Sequence, residues 1–371
     1  MTATRLAILG ATGSIGRQAL DVVAAHPERL HVTALSATSR AEDLRAIADR
    51  LGVRATAVGR GEKGELDALA TRDDVDLVLV ASPGIAGLRP TLAALRAGKA
   101  VALANKEVLV AGGHLVTALT GGAGERLRPI DSEHSALWQA LAGERIADVQ
   151  RVVLTASGGP FRDRPLAELA HVTPEEALRH PTWRMGPKVT IDSATLANKG
   201  YEVVETHWLY GIPYERIDVV GHPESIVHAL VEFTDGSLKA QLAAPDMRLP
   251  IQYALLGGAR APNDFARLDL VAAGVLRFRE IESARYPCLG VILETARSGD
   301  RPAMVGLSAA DEIAVERFLR HEIAFSDIAS YLRRGADLGA RQGVRGDPDL
   351  DTTLRIDAAV RGALAKEPVV A

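Results

Sequence analysis

The sequence is poor in cysteine, and this scarcity removes two classes of site. Its 371 residues contain one cysteine, Cys288, which excludes an internal disulfide bond and a zinc site built from several cysteines. The chain also lacks any apolar run that approaches the roughly 18 residues of a membrane-spanning helix. We find no internal repeat and no low-complexity segment. These absences indicate a globular protein without a membrane anchor.

A strong excess of charge is missing as well. The formal net charge is -4 at pH 7, which gives no reason to expect nucleic acid or an acidic membrane as a partner. Residues 1–5 lead directly into a strand-like segment, so we expect no signal peptide and a cytoplasmic location. The hydrophobic and charged shares, 47% and 24%, are typical of globular proteins. The length suits two or three domains.

The first part of the chain has the pattern of a strand, a glycine turn and a helix. The apolar residues 6–9 precede Gly10, Gly13 and Gly16, and an amphipathic segment follows. Glycines at these positions permit a tight turn and let a pyrophosphate approach the backbone N–H groups at the helix start. We interpret this segment as the first unit of a dinucleotide-binding fold. The alternative is a plain glycine turn.

The segment after the second predicted strand carries hydroxyl groups and a guanidinium instead of an acid. The strand at residues 31–35 is followed by Thr38, Ser39 and Arg40, and the first carboxylate is Glu42. Folds that prefer NADH usually place an acid here for the ribose 2′-hydroxyl, whereas hydroxyls and a guanidinium suit a 2′-phosphate. The sequence therefore favours NADPH over NADH. The alternative is a solvated loop.

Apolar strands and helices keep alternating beyond this point. The predicted elements are helices at residues 43–50 and 88–97 and strands at residues 76–81 and 100–104. This alternation is typical of a parallel, doubly wound sheet, whose ligands lie beyond the carboxyl ends of the strands. Asn105, Lys106 and Glu107 are expected at such an end. Lys106 is a candidate for polarising a substrate oxygen or for lying near a nicotinamide; the alternative is an exposed loop lysine.

Acidic residues in the next part of the chain are candidates for one metal site. Asp131 and Glu133 follow a predicted strand and, being two positions apart in an extended segment, are expected to point to one side. Asn198 and Glu202 share one face of a predicted helix, with Lys199 beside them. We predict that Asp131, Glu133 and Glu202 bind Mg²⁺ or Mn²⁺, because their donors are all oxygen. The alternatives are a solvated sheet edge and a solvated helix face.

A serine followed by two glycines, and a proline-rich segment after it, suggest an anion site and a cover. Ser157 and the two glycines follow a predicted strand and let a hydroxyl and backbone N–H groups face an anion. Four prolines between residues 161 and 188 flank His180 and Trp183, which suits a lid that excludes water. The alternatives are a plain turn and a structural histidine.

The rest of the chain adds a hairpin and a helical tail. Asp192 and Ser193 are predicted to cap a helix. Period-two alternation around residues 234–236 predicts a β-hairpin, whose apolar face suits a dimer interface. Residues 257–264 have the composition of a linker. Helices are predicted at residues 289–297, 309–320, 325–333 and 352–364. Their apolar stripes indicate a small bundle.

Six motifs occur in an order that is specific when they are taken together. They are residues 10–16, 104–107, 131–134, 157–161, 180–186 and 192–202. This order resembles that of the 1-deoxy-D-xylulose 5-phosphate reductoisomerase family over nearly the whole chain. The resemblance implies an α/β protein with an N-terminal Rossmann-like doubly wound sheet, a central α+β catalytic domain and a C-terminal α-helical bundle, assembled as a V-shaped homodimer. The implied ranges are 1–130 for NADPH, 131–256 for catalysis and dimerisation, 257–283 for the linker and 284–371 for the bundle.

The resemblance also assigns roles to matching residues. It implies that Asp131, Glu133 and Glu202 bind the metal and act in catalysis with Lys106. The implied substrate contacts are Lys106, Ser132, Glu133, Ser157, His180, Ser193, Asn198, Lys199 and Glu202. The implied NADPH contacts are Thr12, Gly13, Ser14, Ile15, Asn105, Glu107 and Gly186, and the implied lid holds Trp183 and Met185. Where the family often has Gly-Lys/Arg-Asn, this chain has Thr38-Ser39-Arg40, so each of these three is a candidate for the 2′-phosphate. Residues 255–258 stand where the family usually has a tryptophan–proline pair.

The implied activity is the rearrangement and NADPH-dependent reduction of 1-deoxy-D-xylulose 5-phosphate to 2-C-methyl-D-erythritol 4-phosphate, a step of isoprenoid precursor synthesis that uses Mn²⁺, Mg²⁺ or Co²⁺. The rearrangement runs either by cleavage and re-aldol addition or by direct migration. One rival is an NADPH-dependent dehydrogenase of the aspartate-semialdehyde type, which needs a nucleophilic cysteine; Cys288 lies far downstream in an apolar setting. The other rival is a nucleotide-sensing binding module, which would not require the predicted metal-binding acids or the predicted anion-binding serines.

Overall fold

The computed structural model describes residues 3–61, 64–183, 185–344 and 346–367. Arg184, part of the predicted lid motif, lies outside the described residues. The strands are β1 (Thr4–Leu9), β2 (Leu30–Ala37), β3 (Ala55–Val58), β4 (Leu77–Val80), β5 (Ala100–Leu103), β6 (Leu127–Pro129), β7 (Val149–Ala156), β8 (Ile217–Gly221), β9 (Val227–Phe233) and β10 (Leu238–Leu242). The helices are α1 (Ser14–Ala25), α2 (Ala41–Leu51), α3 (Glu65–Ala70), α4 (Leu88–Arg96), α5 (Glu107–Thr120), α6 (Ser132–Ala140), α7 (Pro174–Ala177), α8 (Pro187–Thr195), α9 (Ala197–Tyr210), α10 (Arg248–Leu255), α11 (Leu270–Ala273), α12 (Pro287–Ser298), α13 (Arg301–Leu319), α14 (Ile328–Ala340) and α15 (Leu350–Ala365).

The first sheet is parallel throughout and confirms the predicted doubly wound fold. Its strand order is β3-β2-β1-β4-β5-β6. Strand β4 is buried at every position, as expected for a parallel strand covered on both faces. Because the strands are parallel, the segments after β1, β2, β5 and β6 all leave from one edge of the sheet. Strand β3 was not predicted, because it has only four residues and its side chains alternate between partly buried and exposed.

The second sheet is mixed and lies in the middle of the chain. Its order is β10-β9-β7-β8, with β8 parallel to β7 and β9 antiparallel to both β7 and β10. The pairing of β9 with β10 confirms the predicted hairpin. Helix α6 packs against β9 and β10. The buried core between the helix and this sheet contains Leu137, Leu154, Val203 and Val231. Helix α10 returns to the first sheet, where Ile251 joins the core beside α1.

The C-terminal helices form the predicted bundle around α13. This helix packs against α14 and α15 and also reaches α5 and α8. It begins at Arg301 instead of residue 309, because Asp300 caps it by accepting a hydrogen bond from the backbone N–H of Ala303. Within the described ranges, none of the helices combines the length and the apolar character needed to cross a bilayer.

Candidate active site

The glycine turn after β1 has the shape predicted for a pyrophosphate site. Gly10 adopts a φ of +98°. A Cβ on Gly16 would lie 2.3 Å from the carbonyl oxygen of Gly10, so only glycine lets α1 start this close to the turn. Gly13 precedes the helix without a side-chain cap. The turn and the helix start contain the predicted cofactor residues Thr12, Gly13, Ser14 and Ile15.

Two guanidinium groups lie near the segment predicted for the 2′-phosphate. Residues 38–40 follow β2 at the same sheet edge. Arg40 lies 4.0 Å from the carboxylate of Asp43, and Arg17 lies 2.7 Å from it. Arg17 was not singled out from the sequence, although its position one turn into the helix after the glycines was a signal for it.

Asn105 and Glu107 use their side chains inside the protein. The amide nitrogen of Asn105 donates to the carbonyl oxygens of Ser82 and Gly84, the latter at 2.7 Å, and its oxygen accepts from a backbone N–H of α5. The carboxylate of Glu107 lies 3.1 Å from the ammonium of Lys188. Both side chains therefore hold together the loops at this sheet edge.

Asp131 and Glu133 reach the site by a route that differs from the prediction. Strand β6 ends at Pro129, and Asp131 is the N-cap of α6, where it accepts a hydrogen bond from the backbone N–H of Ser132. Glu133 lies in the first turn of that helix. The expected extended geometry is wrong, because a capping carboxylate ends the extended segment here.

Three carboxylates nevertheless converge. Ligand oxygens of Asp131, Glu133 and Glu202 all lie within 4.8 Å of one another. Lys106 contacts Asp131 and lies 3.1 Å from Glu202. Lys199 contacts Glu202 and lies 2.9 Å from Glu133. Glu202 is 1% exposed, so this is a buried group of three acids and two ammonium ions.

A second grouping shares Asp131 and adds His134 and Glu205. Nδ1 of His134 lies 3.1 Å from Asp131, and Nε2 lies 2.9 Å from the carbonyl oxygen of Glu202. Burial alone would lower the pKa of His134, but Glu205 and Asp131 raise it to about 9. Both ring nitrogens thus lie within hydrogen-bond distance of oxygen acceptors, so the ring is already engaged inside the protein. The all-oxygen set of Asp131, Glu133 and Glu202 fits a hard cation better.

A serine–histidine group lies on the lid side of the site. Nε2 of His180 is 3.1 Å from the hydroxyl oxygens of both Ser157 and Ser193. Its Nδ1 accepts hydrogen bonds from the backbone N–H groups of Thr182, at 3.1 Å, and Trp183, at 2.8 Å. Burial lowers the pKa of His180 to about 4. The ring is therefore neutral near pH 7 and carries its proton on Nε2, toward the two serines.

The turn after Ser157 packs closely against α8. Gly159 has a φ of +66°, and a Cβ there would lie 2.8 Å from the carbonyl oxygen of Ser193. Ser193 and Asp192 lie inside α8, so their predicted capping role is wrong. Asp192 instead lies 2.7 Å from the ammonium of Lys188.

The predicted substrate contacts fall into two groups. Ser157, His180 and Ser193 form the hydrogen-bonded group above. Asn198 donates to Glu202 at 2.5 Å, and Lys199 pairs with Glu133 and Glu202, so these two side chains belong to the acid group.

The predicted lid lies beside a cavity that reaches Ser132, which stands between two of the acids. A cavity of about 310 Å³ is lined by Ser132, Trp183 and His228 together with hairpin and linker residues. The Trp183 and His228 rings lie 6.2 Å apart. His228 was not singled out from the sequence, although its strand was. Met185 and Gly186 directly precede α8.

The lone cysteine takes no part in this site. Cys288 is 2% exposed at the start of α12, and burial raises the pKa of its thiol far above the usual value. A buried, protonated thiol is a poor nucleophile. The structure therefore gives no support to a cysteine-dependent dehydrogenase.

A dinucleotide-type sheet beside a buried oxygen-donor site and a serine–histidine group defines the class of protein, an α/β oxidoreductase with a separate catalytic part. Sequence profiles described as 1-deoxy-D-xylulose 5-phosphate reductoisomerase match residues 6–65 and 55–113, and profiles of its C-terminal domains match residues 127–210 and 242–363. The chain belongs to the 1-deoxy-D-xylulose 5-phosphate reductoisomerase family, as the order of its motifs predicted.

Individual relatives agree with this assignment. The 1-deoxy-D-xylulose 5-phosphate reductoisomerase of Thermomicrobium roseum is 51% identical over 347 residues, which cover 90% of each chain. That of Geobacillus kaustophilus is 47% identical over 376 residues, 96% of this chain and 97% of the relative. A crystal structure of DOX-P reductoisomerase with NADPH, fosmidomycin and magnesium has a TM-score of 0.91 at 36% identity and covers 98% of this chain and 97% of its own. The Zymomonas mobilis enzyme with NADPH gives 0.86 at 36% identity, with 99% and 100% covered.

Proposed function

We propose that this protein converts 1-deoxy-D-xylulose 5-phosphate to 2-C-methyl-D-erythritol 4-phosphate with NADPH and a divalent metal ion, in isoprenoid precursor synthesis. One observation carries the proposal. Carboxylates from two elements about seventy positions apart meet within 4.8 Å, next to the carboxyl edge of a dinucleotide-type sheet. Family membership makes this substrate the natural one for the site.

The acid group suits the metal that the proposal requires. Asp131, Glu133 and Glu202 would hold the ion, since an all-oxygen donor set favours Mg²⁺ or Mn²⁺, with Co²⁺ as a further choice. Lys106 and Lys199 now supply the positive charge that these buried acids need. The ion, when bound, stabilises negative charge on substrate oxygens, and NADPH supplies a hydride.

The sheet edge suits NADPH. The glycine turn at residues 10–16 leaves the start of α1 open to a pyrophosphate. Arg40 and Arg17, with the hydroxyls of residues 38 and 39, are the groups we propose for the 2′-phosphate. Since the side chains of Asn105 and Glu107 are engaged elsewhere, we propose that these two contact the cofactor through their backbone.

The serine–histidine group suits the substrate phosphate. Neutral His180 donates from Nε2, and Ser157 and Ser193 offer hydroxyls around the same point. Asn198 and Lys199 lie on the acid side, where we propose that they bind substrate oxygens with Ser132 and Lys106. Binding energy at the phosphate would hold the reacting carbons in place.

The segment at residues 180–186 is the proposed cover. Two backbone N–H groups bind the His180 ring, so the phosphate ligand and the start of the lid move together. Trp183 and Met185 would then exclude water from the reacting carbons.

We also propose that two copies of the chain associate through β10 and the linker. Strand β10 is an edge strand, and Leu238 on it is 60% exposed. Val271 in the linker is 92% exposed. Unpaired edges and exposed apolar side chains are normally covered, and a second copy of the chain, as in the homodimer expected from the family, would cover both at once.

Sedimentation velocity tests the dimer with a matched pair of variants. Leu238→Lys should give monomers. Val58→Lys, on the exposed edge strand β3 where Val58 is 50% exposed, should leave the dimer intact. A wild-type monomer, or a Leu238→Lys dimer as stable as wild type, would contradict the proposal. The cytoplasmic location, the lack of nucleic-acid and membrane partners, and the domain limits stay predictions.

The activity is tested by following NADPH absorbance with purified, chelator-treated protein and 1-deoxy-D-xylulose 5-phosphate. We expect oxidation of NADPH only after Mn²⁺ or Mg²⁺ is added back. No metal-dependent oxidation would refute the proposed function. Oxidation that needs no metal would mean that the acid group has another role.

A further inference from the structure

Lys188 lies where three parts of the fold meet. Its Nζ is 3.1 Å from Glu107, 2.7 Å from Asp192 and 2.7 Å from Asp311. Glu107 begins α5 at the sheet edge, Asp192 lies one turn further along α8, and Asp311 lies in the middle of α13 in the bundle. One ammonium therefore connects the sheet domain, the helix that carries Ser193, and the bundle.

The acids around Lys188 depend on it for charge. Asp192 is 2% exposed and Asp311 is 0% exposed, whereas the side chain of Lys188 is 26% exposed, so the ammonium is the charged group that these two buried carboxylates face. Among the described residues, the second oxygens of these two acids, Asp192 Oδ1 and Asp311 Oδ1, have no hydrogen-bond partner. The ring of Tyr201 lies 5.0 Å from Nζ and closes this cluster on the side of α9. Burial opposes the charge on Lys188, but Asp192 and Asp311 raise its pKa well above the usual value.

Each carboxylate near the site adjoins a residue with a proposed role. Lys106 directly precedes Glu107, and Ser193 directly follows Asp192. Lys188 itself lies two positions after Gly186. The separation between the acid group and the serine–histidine group is therefore set by elements that meet at this ammonium.

We infer that Lys188 is a positioning residue: its three ion pairs hold α5 and α8 against α13, so that the cofactor edge and the phosphate group keep a fixed separation. The inference rests on the proposed function. A buried ion pair is a poor source of stability compared with apolar packing, but it specifies geometry. Anchoring both helices to the bundle lets the bundle position the site although none of its described residues lies in the acid group or the serine–histidine group.

The test compares Lys188→Met, which keeps most of the length of the side chain and removes its charge, with Arg317→Met. Arg317 is a buried cation on the same helix α13, and it bonds to Tyr331 in α14 and to the carbonyl oxygen of Leu364 in α15. At a temperature where Lys188→Met is still folded, we expect its kcat to be at least about tenfold lower than that of the wild type. The reason is that small misplacements of reacting groups slow a reaction strongly. The Kd for NADPH, measured by fluorescence, should change little. Arg317→Met should lower Tm and leave kcat close to wild type.

A double variant separates positioning from stability. Lys188→Met with Asp311→Asn restores the formal charge of the cluster, so we expect Tm to rise above that of Lys188→Met while kcat stays low. Recovery of kcat in step with Tm would overturn the inference, and so would a wild-type kcat in folded Lys188→Met. Wild-type turnover is measured first: its absence refutes the proposed function, whereas an active wild type with an equally active variant refutes the positioning role alone.

Discussion

Replacing Glu202 by glutamine should remove the metal site and leave the fold and cofactor site in place. Glu202 is 1% exposed, and glutamine has the same volume and can still accept from Lys199. The change removes one of three negative charges that face two ammonium ions. A unit charge about 4 Å away is worth about 4 kcal/mol at an effective dielectric of about 20, and a divalent ion loses at least that much. Mn²⁺ affinity should therefore fall at least about a thousandfold.

Mn²⁺ binding to the metal-free protein, measured by electron paramagnetic resonance or calorimetry, checks this value, with NADPH affinity as the control for folding. Glu205→Gln is the matched variant. Glu205 lies one turn along α9, is 3% exposed and also faces Lys106, at 3.7 Å. It belongs to the other acid grouping, so its loss should weaken Mn²⁺ binding far less. Equal losses in both variants, or a larger loss in Glu205→Gln, would refute the assignment of Asp131, Glu133 and Glu202.

Three further predictions concern the phosphate side. His180→Gln should raise KM for the substrate about tenfold, the value of one hydrogen bond to a charged group, without changing NADPH affinity. The pKa of His180 falls from 6.5 to about 4 on folding, so the unfolded chain binds a proton at His180 before the folded chain does as pH falls. The wild type should therefore lose stability relative to His180→Gln between pH 6.5 and pH 4. Parallel curves of Tm against pH for the two proteins would contradict this prediction. Gly159→Ala should lose more than the roughly 1–2 kcal/mol of a left-handed alanine, because its Cβ would meet Ser193 at 2.8 Å. Gly211→Ala, with a φ of +65° and open space, should lose only that amount, and equal urea-unfolding losses would contradict the close packing.

Local sequence patterns predicted those turns and hairpins whose conformation is set by residues a few positions apart in the sequence. The glycine turn before α1 and the hairpin at residues 234–236 have signals within a few positions, and both are confirmed. The N-cap at Asp131 was missed, because an acid after an apolar run fits both the end of a strand and the start of a helix. The start of α13 was missed although Asp300 precedes a proline at the second helical position, a common N-terminal signal.

Contacts between distant parts of the chain were beyond local patterns. That Asp131 and Glu202 lie in one site rested on the order of motifs, which carries information from the family and not from spacing. No pattern linked Lys188 to Asp311, since their pairing depends on how α13 packs across α5 and α8. The same holds for His134, whose ring contacts residues 131, 202 and 206.

The carbon skeleton of the product tests the central claim most directly. Metal-free protein is given Mn²⁺, NADPH and ¹³C-labelled 1-deoxy-D-xylulose 5-phosphate, and the product is identified by NMR while NADPH consumption is followed. Our account predicts a branched product, 2-C-methyl-D-erythritol 4-phosphate, with one NADPH oxidised for each substrate consumed. An unbranched, reduced sugar phosphate would show a simple dehydrogenase and would contradict the account.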